Sequence, residues 1–163
     1  MKLRFLSIFA AAALLAACES APSDTGAKGG AGQTAPAASA VKTIAPGSKE
    51  DFVANVGDRV FFDFDKSVLR ADAKATLAKQ AAWLKKYGNY AMTIEGHADE
   101  RGTREYNLAL GEKRANAVKE FLAANGVAAS RVKVVSYGKE RPVALGSNEA
   151  AWSQNRRGVT VLN

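Results

Sequence analysis

The sequence predicts an α+β domain, a two-layer α/β sandwich with element order β-α-β-α-β-(α)-β, over residues 51–163 of the 163-residue chain. Three observations predict it. Short stretches rich in β-branched or aromatic residues alternate with two runs of helical length that carry apolar residues at helical spacing. Both tryptophans and all four tyrosines lie after residue 50. Strands alternating with helices of this length bury their apolar faces best as helices laid on one sheet, with right-handed crossovers in the β-α-β units.

The elements follow in order. Residues 59–64 (RVFFDF) alternate and read as a strand. Residues 71–87 are rich in Ala, Lys and Leu, with Ala73, Leu77, Ala81 and Leu84 on one stripe, and Gly88-Asn89 is expected to end this helix in a left-handed cap. Residues 90–95 form a second strand and residues 96–103 a polar loop. A second helix covers residues 104–124, stopped by Asn125-Gly126. Residues 132–137 are a third strand, followed by an irregular loop around Pro142. A helical turn occupies residues 148–154, and residues 158–162 close the domain as the last strand.

The rest of the chain is of a different kind. Lys2 and Arg4 precede an apolar run over residues 5–17, shorter than the roughly 20 residues a membrane-spanning helix needs, so residues 1–17 read as a signal peptide. Residues 18–50 hold Cys18 and a stretch dominated by Ala, Gly, Ser and Thr, with three of the four prolines and no aromatic residue. Such a composition cannot bury enough apolar surface to order itself. As a coil it would span roughly 30 Å r.m.s., and fully extended about 110 Å. The net charge of +7 divides into +2 in the signal, none in the tether and +5 in the domain.

Cys18 follows Leu15-Ala16-Ala17. This resembles the lipobox of bacterial lipoproteins, which implies lipidation of Cys18 and cleavage just before it. Two or more acyl chains anchor stably where one does not. Glu19 stands where that resemblance makes Asp the inner-membrane retention signal, which implies the outer membrane as the address, with the domain facing the periplasm.

The run from Glu95 to Ala115, EGHADERGTREYNLALGEKRA, begins at a strand end, crosses a loop and enters a helix. In that helix Asn107, Leu110, Arg114 and Val118 share a face. Arg114 thus lies at the edge of an apolar stripe, where a cation requires an anionic partner. Asp99 is the nearest candidate in the run, and Asp63 and Asp65 at the end of the first strand are others. The residues by themselves leave two readings open: a structural ion pair, or a binding pocket holding both signs of charge.

The pattern Asp99-x-x-Gly102-x-x-x-x-Asn107-x-x-Leu110-x-x-x-Arg114 resembles the peptidoglycan-binding signature of the OmpA-like C-terminal domain superfamily. More narrowly, the run with VFFDFDKS at residues 60–67 and NRRGVTV at residues 155–161 is similar to the peptidoglycan-associated lipoproteins. Gly111 departs mildly, since many OmpA-like domains carry Ser there. The resemblance implies a mixed four-stranded sheet in the order 1-4-2-3. It also implies a non-catalytic site for the meso-diaminopimelate of peptidoglycan stem peptides: Arg114 would take its carboxylate, Asp99 its ammonium, Phe64 and Asp65 would form one wall, and Asn107 and Leu110 the helical side. The planar fork of arginine suits a carboxylate. The implied role is to tie the outer membrane to the cell wall, with TolB and other Tol proteins as partners, in envelope integrity and constriction at cell division. The alternative is an OmpA-like lipoprotein that anchors another envelope machine, such as a motor or secretion apparatus.

Other functions find little support. One cysteine excludes an intramolecular disulfide and a Cys-rich zinc site, and the one histidine, His97, lacks the further donors of a metal site. No cofactor is implied. No nucleophile–base pair suggests an envelope hydrolase, and no basic stripe with stacking aromatics suggests nucleic acid. His97 is expected either to edge the pocket or to cap the strand end.

Overall fold

The computed structural model describes residues 43–163. The signal segment, Cys18 and the tether as far as residue 42 lie outside the described residues. Strands β1 (Arg59–Phe61), β2 (Met92–His97), β3 (Val132–Gly138) and β4 (Arg157–Leu162) form one mixed sheet in the order β1-β4-β2-β3. The last strand lies antiparallel between β1 and β2, and β2 pairs in parallel with β3. Helices α2 (Ala71–Lys86) and α3 (Arg104–Ala124) pack on the sheet, α2 against β1 and α3 against β2 and β3. The short α4 (Glu149–Asn155) precedes β4, and Asn148 caps it by accepting from the Ala151 amide at 3.0 Å. The expected two-layer sandwich and strand order are both present.

The core forms between the layers. Leu77, Ala81 and Leu84 of α2 and Val118 and Leu122 of α3 meet Val60, Met92 and Ile94 of the sheet, all buried. Gln80 is the one polar residue on the buried face of α2. It is satisfied there, donating to the Gly57 carbonyl at 2.6 Å and accepting from the Thr160 hydroxyl at 2.9 Å. Buried polar groups survive in cores only when paired in this way.

The domain begins earlier than the boundary expected at Asp51. Ser48 caps a short helix α1 (Lys49–Asp51), which runs on through a wider turn at Phe52–Val56. The Asp51 carboxylate accepts from the Gly47 amide at 2.8 Å, the Asn55 amide at 2.7 Å and the Trp83 indole at 2.9 Å. These bonds hold the carboxyl down at about 2. Tyr90 donates to the Gly47 carbonyl, and Phe52, Tyr87 and Tyr90 pack around Trp83. Residues 47–50 therefore belong to the domain and not to the tether.

Two other expectations are corrected. The first strand stops at Phe61 instead of running to residue 64, because the chain turns at Asp63, with Lys66 N–H donating back to its carbonyl, and Asp65 takes a left-handed φ of 57°. The end of α2 has no left-handed cap: Tyr87 closes it at φ −112°, whereas the end of α3 does carry a left-handed glycine, Gly126 at φ 90°.

One close approach sets the height of α3 above the sheet. A Cβ on Gly96 of β2 would lie 1.8 Å from the Gly111 carbonyl oxygen of α3, and a Cβ on Gly111 would lie 2.4 Å from Ser136 Oγ and 2.9 Å from the Gly96 carbonyl oxygen. Helix and strand touch backbone to backbone here. Arg114 follows Gly111 by one turn, so the contact lowers it to the C-terminal end of β2.

Candidate functional site

The turn after β1, the β2–α3 loop and the first turns of α3 surround an open cleft of about 180 Å³. Phe64, Asp65, Asp99, Asn107, Leu110 and Arg114, the six residues singled out in the sequence, all line it. The fold also brings Arg101, Gly102 and Tyr106 to its wall.

Arg114 forms the floor. Its side chain is buried and its guanidinium lies 5.3 Å from the centre of the Phe62 ring. Its hydrogen bonds differ from those expected: no carboxylate bonds it among the described residues. Nε donates to the Lys66 carbonyl at 2.9 Å, Nη1 to the His97 carbonyl at 2.8 Å and Nη2 to the Asp63 carbonyl at 3.1 Å. Backbone carbonyls gather there because the turn at Asp63 and the end of β2 both point their C=O groups inward, and an arginine fork can serve several at once. Desolvation pulls the guanidinium down to about 10, offset partly by Asp99, so it stays charged at neutral pH. Two of its five N–H donors remain after the three carbonyls are served.

Asp99 is also buried, and its partners are arginines other than Arg114. Oδ1 accepts from the Arg101 amide and from Arg101 Nε, both at 3.2 Å. Oδ2 accepts from Arg101 Nη2 at 2.6 Å and from Arg156 Nη1 at 3.3 Å. Burial alone would push this carboxyl up, but the bonds from Arg101 and Arg156 outweigh it and hold it below the ordinary carboxylate range. Arg156 is itself anchored, with Nε on the Phe62 carbonyl at 3.0 Å and Nη2 on Glu149.

The remaining residues shape the walls. Asn107 spends its amide on the loop, donating to the Arg101 carbonyl at 2.8 Å and the Thr103 carbonyl at 3.0 Å. Thr103 caps α3 by accepting from the Tyr106 amide at 3.2 Å. Tyr106 donates its hydroxyl to Asp65, which raises its own proton affinity. Phe64 is 55 % exposed and stands at the rim, while Leu110 is half-buried on the helical side.

Of the residues missed in the sequence, Arg101 had a local signal. It lies two positions after an aspartate, the spacing at which an Asp side chain bonds a backbone N–H. Tyr106 adjoins Asn107 but lies off the stripe. Arg156 had no local signal, since it reaches the site from 57 residues away.

His97 contributes only its backbone carbonyl to the cleft. Its ring lies on the other side of β2, 1 % exposed, against Tyr137 at 5.5 Å. Neither ring nitrogen is hydrogen-bonded, and the nearest carboxylate oxygen, on Glu95, is 3.5 Å from Nε2. Burial, then Arg157 and Arg141, lowers its pKa to about 4. The folded state therefore holds fewer protons on this ring than the unfolded chain does between about pH 6.5 and 4. Stability is full above that window and is lost as pH falls through it. The expected loss from His97 at pH 4 is about 3 kcal/mol. Urea denaturation at pH 7 and pH 4 checks it: His97→Phe should narrow the difference between the two pH values by about that amount. An unchanged difference would rule out the histidine as its source.

Among the described residues no group of His, Cys, Asp and Glu could hold a metal ion, and no helix is long and apolar enough to cross a membrane.

The model of the OmpA family matches residues 61–156. A protein from Brucella melitensis named peptidoglycan-associated lipoprotein is 64% identical over 118 residues, covering 72% of this chain and 70% of its own length. One of the same name from Pseudomonas aeruginosa is 42% identical over 157 residues, covering 94% of this chain and 93% of its own. The chain belongs to the peptidoglycan-associated lipoproteins of the OmpA family. The crystal structure of a peptidoglycan-associated lipoprotein from Burkholderia pseudomallei shares the fold with a TM-score of 0.66 at 43% identity, covering 70% of this chain and 98% of that one. The family's mixed sheet with its helices is thus the architecture described above.

Proposed function

We propose that this chain is a lipid-anchored envelope protein that holds peptidoglycan non-covalently in the Asp99–Arg114 cleft and so ties the outer membrane to the cell wall. The observation that carries the reading is the cleft's charge. An ionised carboxylate and a guanidinium that is charged at neutral pH line one small open space. The free end of meso-diaminopimelate is an amino acid with one ammonium and one carboxylate, followed by methylenes. Arg114 takes the carboxylate through its two remaining N–H groups, Asp99 takes the ammonium, and Leu110 and Phe64 lie against the methylenes. Asn107 and Asp65 position the walls. Binding needs no bond to break, so the site requires neither nucleophile nor metal.

The lipobox at Cys18 supports the membrane end of the tether, in keeping with relatives named lipoproteins. The same relatives support a place in the Tol–Pal system, with TolB and other Tol proteins as partners, in envelope integrity and outer-membrane constriction at division. Co-purification with TolB separates this assignment from anchorage of some other machine.

The test is Asp99→Asn, which keeps the shape of the side chain and removes its charge. Loss of one partner of a desolvated charged contact costs about 2–5 kcal/mol, so pull-down on isolated diaminopimelate-type sacculi should weaken at least about 30-fold. Lysine-type sacculi serve as the control, because lysine lacks the carboxylate meant for Arg114. Wild-type binding by the variant, or equal binding to both kinds of sacculus, would overturn the assignment.

A further inference from the structure

The carboxylate that should receive an ammonium is already full. A carboxylate offers about four acceptor positions, and all four at Asp99 are taken, three of them by Arg101 and one by Arg156. A ligand ammonium can reach Asp99 only if a donor leaves. The two arginines are not equally free to do so. The Arg156 side chain is 7% exposed and tied to the Phe62 carbonyl, whereas that of Arg101 is 31% exposed and its guanidinium bonds nothing else closely.

Arg101 also has somewhere to go. Its guanidinium is stacked between the rings of Phe64 and Trp152, 4.0 Å from each centre. Trp152 is held in place by its indole N–H on Glu100 at 2.9 Å. A second carboxylate, Glu149, lies 3.8 Å from Arg101 Nη2. A slide of the flat group between the rings, from Asp99 towards Glu149, exchanges one carboxylate for another and keeps both stacking contacts.

We propose that Arg101 is a gate on the ammonium subsite: it fills Asp99 until a ligand ammonium displaces it towards Glu149, between Phe64 and Trp152. This rests on the assignment of Asp99 as the ammonium's partner. It makes binding an exchange of one cation for another, so the affinity measured is lowered by the fraction of time the gate is closed. It also makes Arg101 a specificity device, since a ligand without an ammonium has nothing with which to replace it and leaves Asp99 unchanged.

The experiment is calorimetric titration of the full-length protein with the stem tripeptide ending in meso-diaminopimelate, and with the same tripeptide acetylated on its terminal amine. A partly exposed ion pair of this kind contributes a factor of up to about five to an equilibrium constant. Arg101→Ala is therefore expected to bind the free-amine probe about fivefold more tightly than wild type. Arg101→Lys, which restores a competing cation, should stay within about twofold of wild type. The acetylated probe should gain nothing from Arg101→Ala. A merely structural role for Arg101 predicts weaker binding on its removal, so the sign of the change is decisive. Equal or weaker binding of the free-amine probe by Arg101→Ala, or an equal gain with both probes, overturns the gate while leaving the cleft assignment in place. Failure of the wild type to bind either probe overturns the cleft assignment, and the gate with it.

Discussion

Gly96→Ala should destabilise this domain strongly. The added methyl would be placed 1.8 Å from the Gly111 carbonyl oxygen and 2.5 Å from its carbonyl carbon, and both are helix backbone that cannot rotate away. Relief requires α3 to lift off β2, which loosens the packing of Val118 and Leu122 against the sheet. Overpacking in a well-filled core costs typically 1–3 kcal/mol and more where backbone must move, so at least about 3 kcal/mol is expected. For a domain of this size that lowers the melting temperature by roughly 10 °C or more. The control is Gly88→Ala: nothing lies within 4 Å of its added Cβ and its φ is not left-handed. Thermal denaturation should show Gly88→Ala within a degree or two of wild type or slightly above it. Similar melting temperatures for the two variants would show that the helix–strand contact has slack which the geometry does not suggest.

The second large effect is expected at Arg114, and it concerns stability as much as binding. Arg114→Leu removes the donors of three carbonyls, on Asp63, Lys66 and His97, and these tie the turn after β1 and the end of β2 to α3. Each buried acceptor left without its donor typically costs about 1–3 kcal/mol, so a loss of at least about 3 kcal/mol is expected. Arg114→Lys keeps a charge but offers a point where a fork is needed, and should recover only part of the loss. Urea denaturation measures both. Full stability in Arg114→Leu would mean that the carbonyls find other donors. The consequence for function is practical: lost peptidoglycan binding by an Arg114 variant reports on the site only when the variant is shown to be folded. Asp99→Asn is the cleaner probe, because Arg156 remains anchored on the Phe62 carbonyl and Glu149 when the Asp99 charge is removed.

The helical stripe that placed Asn107, Leu110 and Arg114 on one face was legible because helix periodicity is local, and α3 runs over the residues that its stripe and its Asn-Gly stop indicate. The buried Gln80 was not legible in the same way. It reads as an ordinary polar residue of a surface helix until Gly57 and Thr160 arrive from other elements to satisfy it. Residues 47–50 were missed for a related reason. Their composition is that of a tether, and only the reach of Asp51 to Trp83 and of Tyr90 to Gly47 orders them. The end of β1 was overestimated because RVFFDF keeps its alternation past Phe61, where the chain leaves the sheet to turn at Asp63.

The sequence by itself determined the order of the strands and main helices and the helical face shared by Asn107, Leu110 and Arg114, since both rest on spacing within a short stretch, while the resemblance to the OmpA-like family added Phe64 and the pocket roles. Tertiary structure alone decided who bonds whom there. Arg114 was expected to need a carboxylate and instead serves three carbonyls, two of them 48 and 51 residues away. Asp99 was the nearest candidate to serve Arg114 and is instead filled by Arg101 and by Arg156, which lies 57 residues later at the junction of α4 and β4. A buried charge must be satisfied, and that much is readable from its place on an apolar face. Which group satisfies it depends on the backbone and side chains that the fold brings within 3 Å, and no local pattern encodes them.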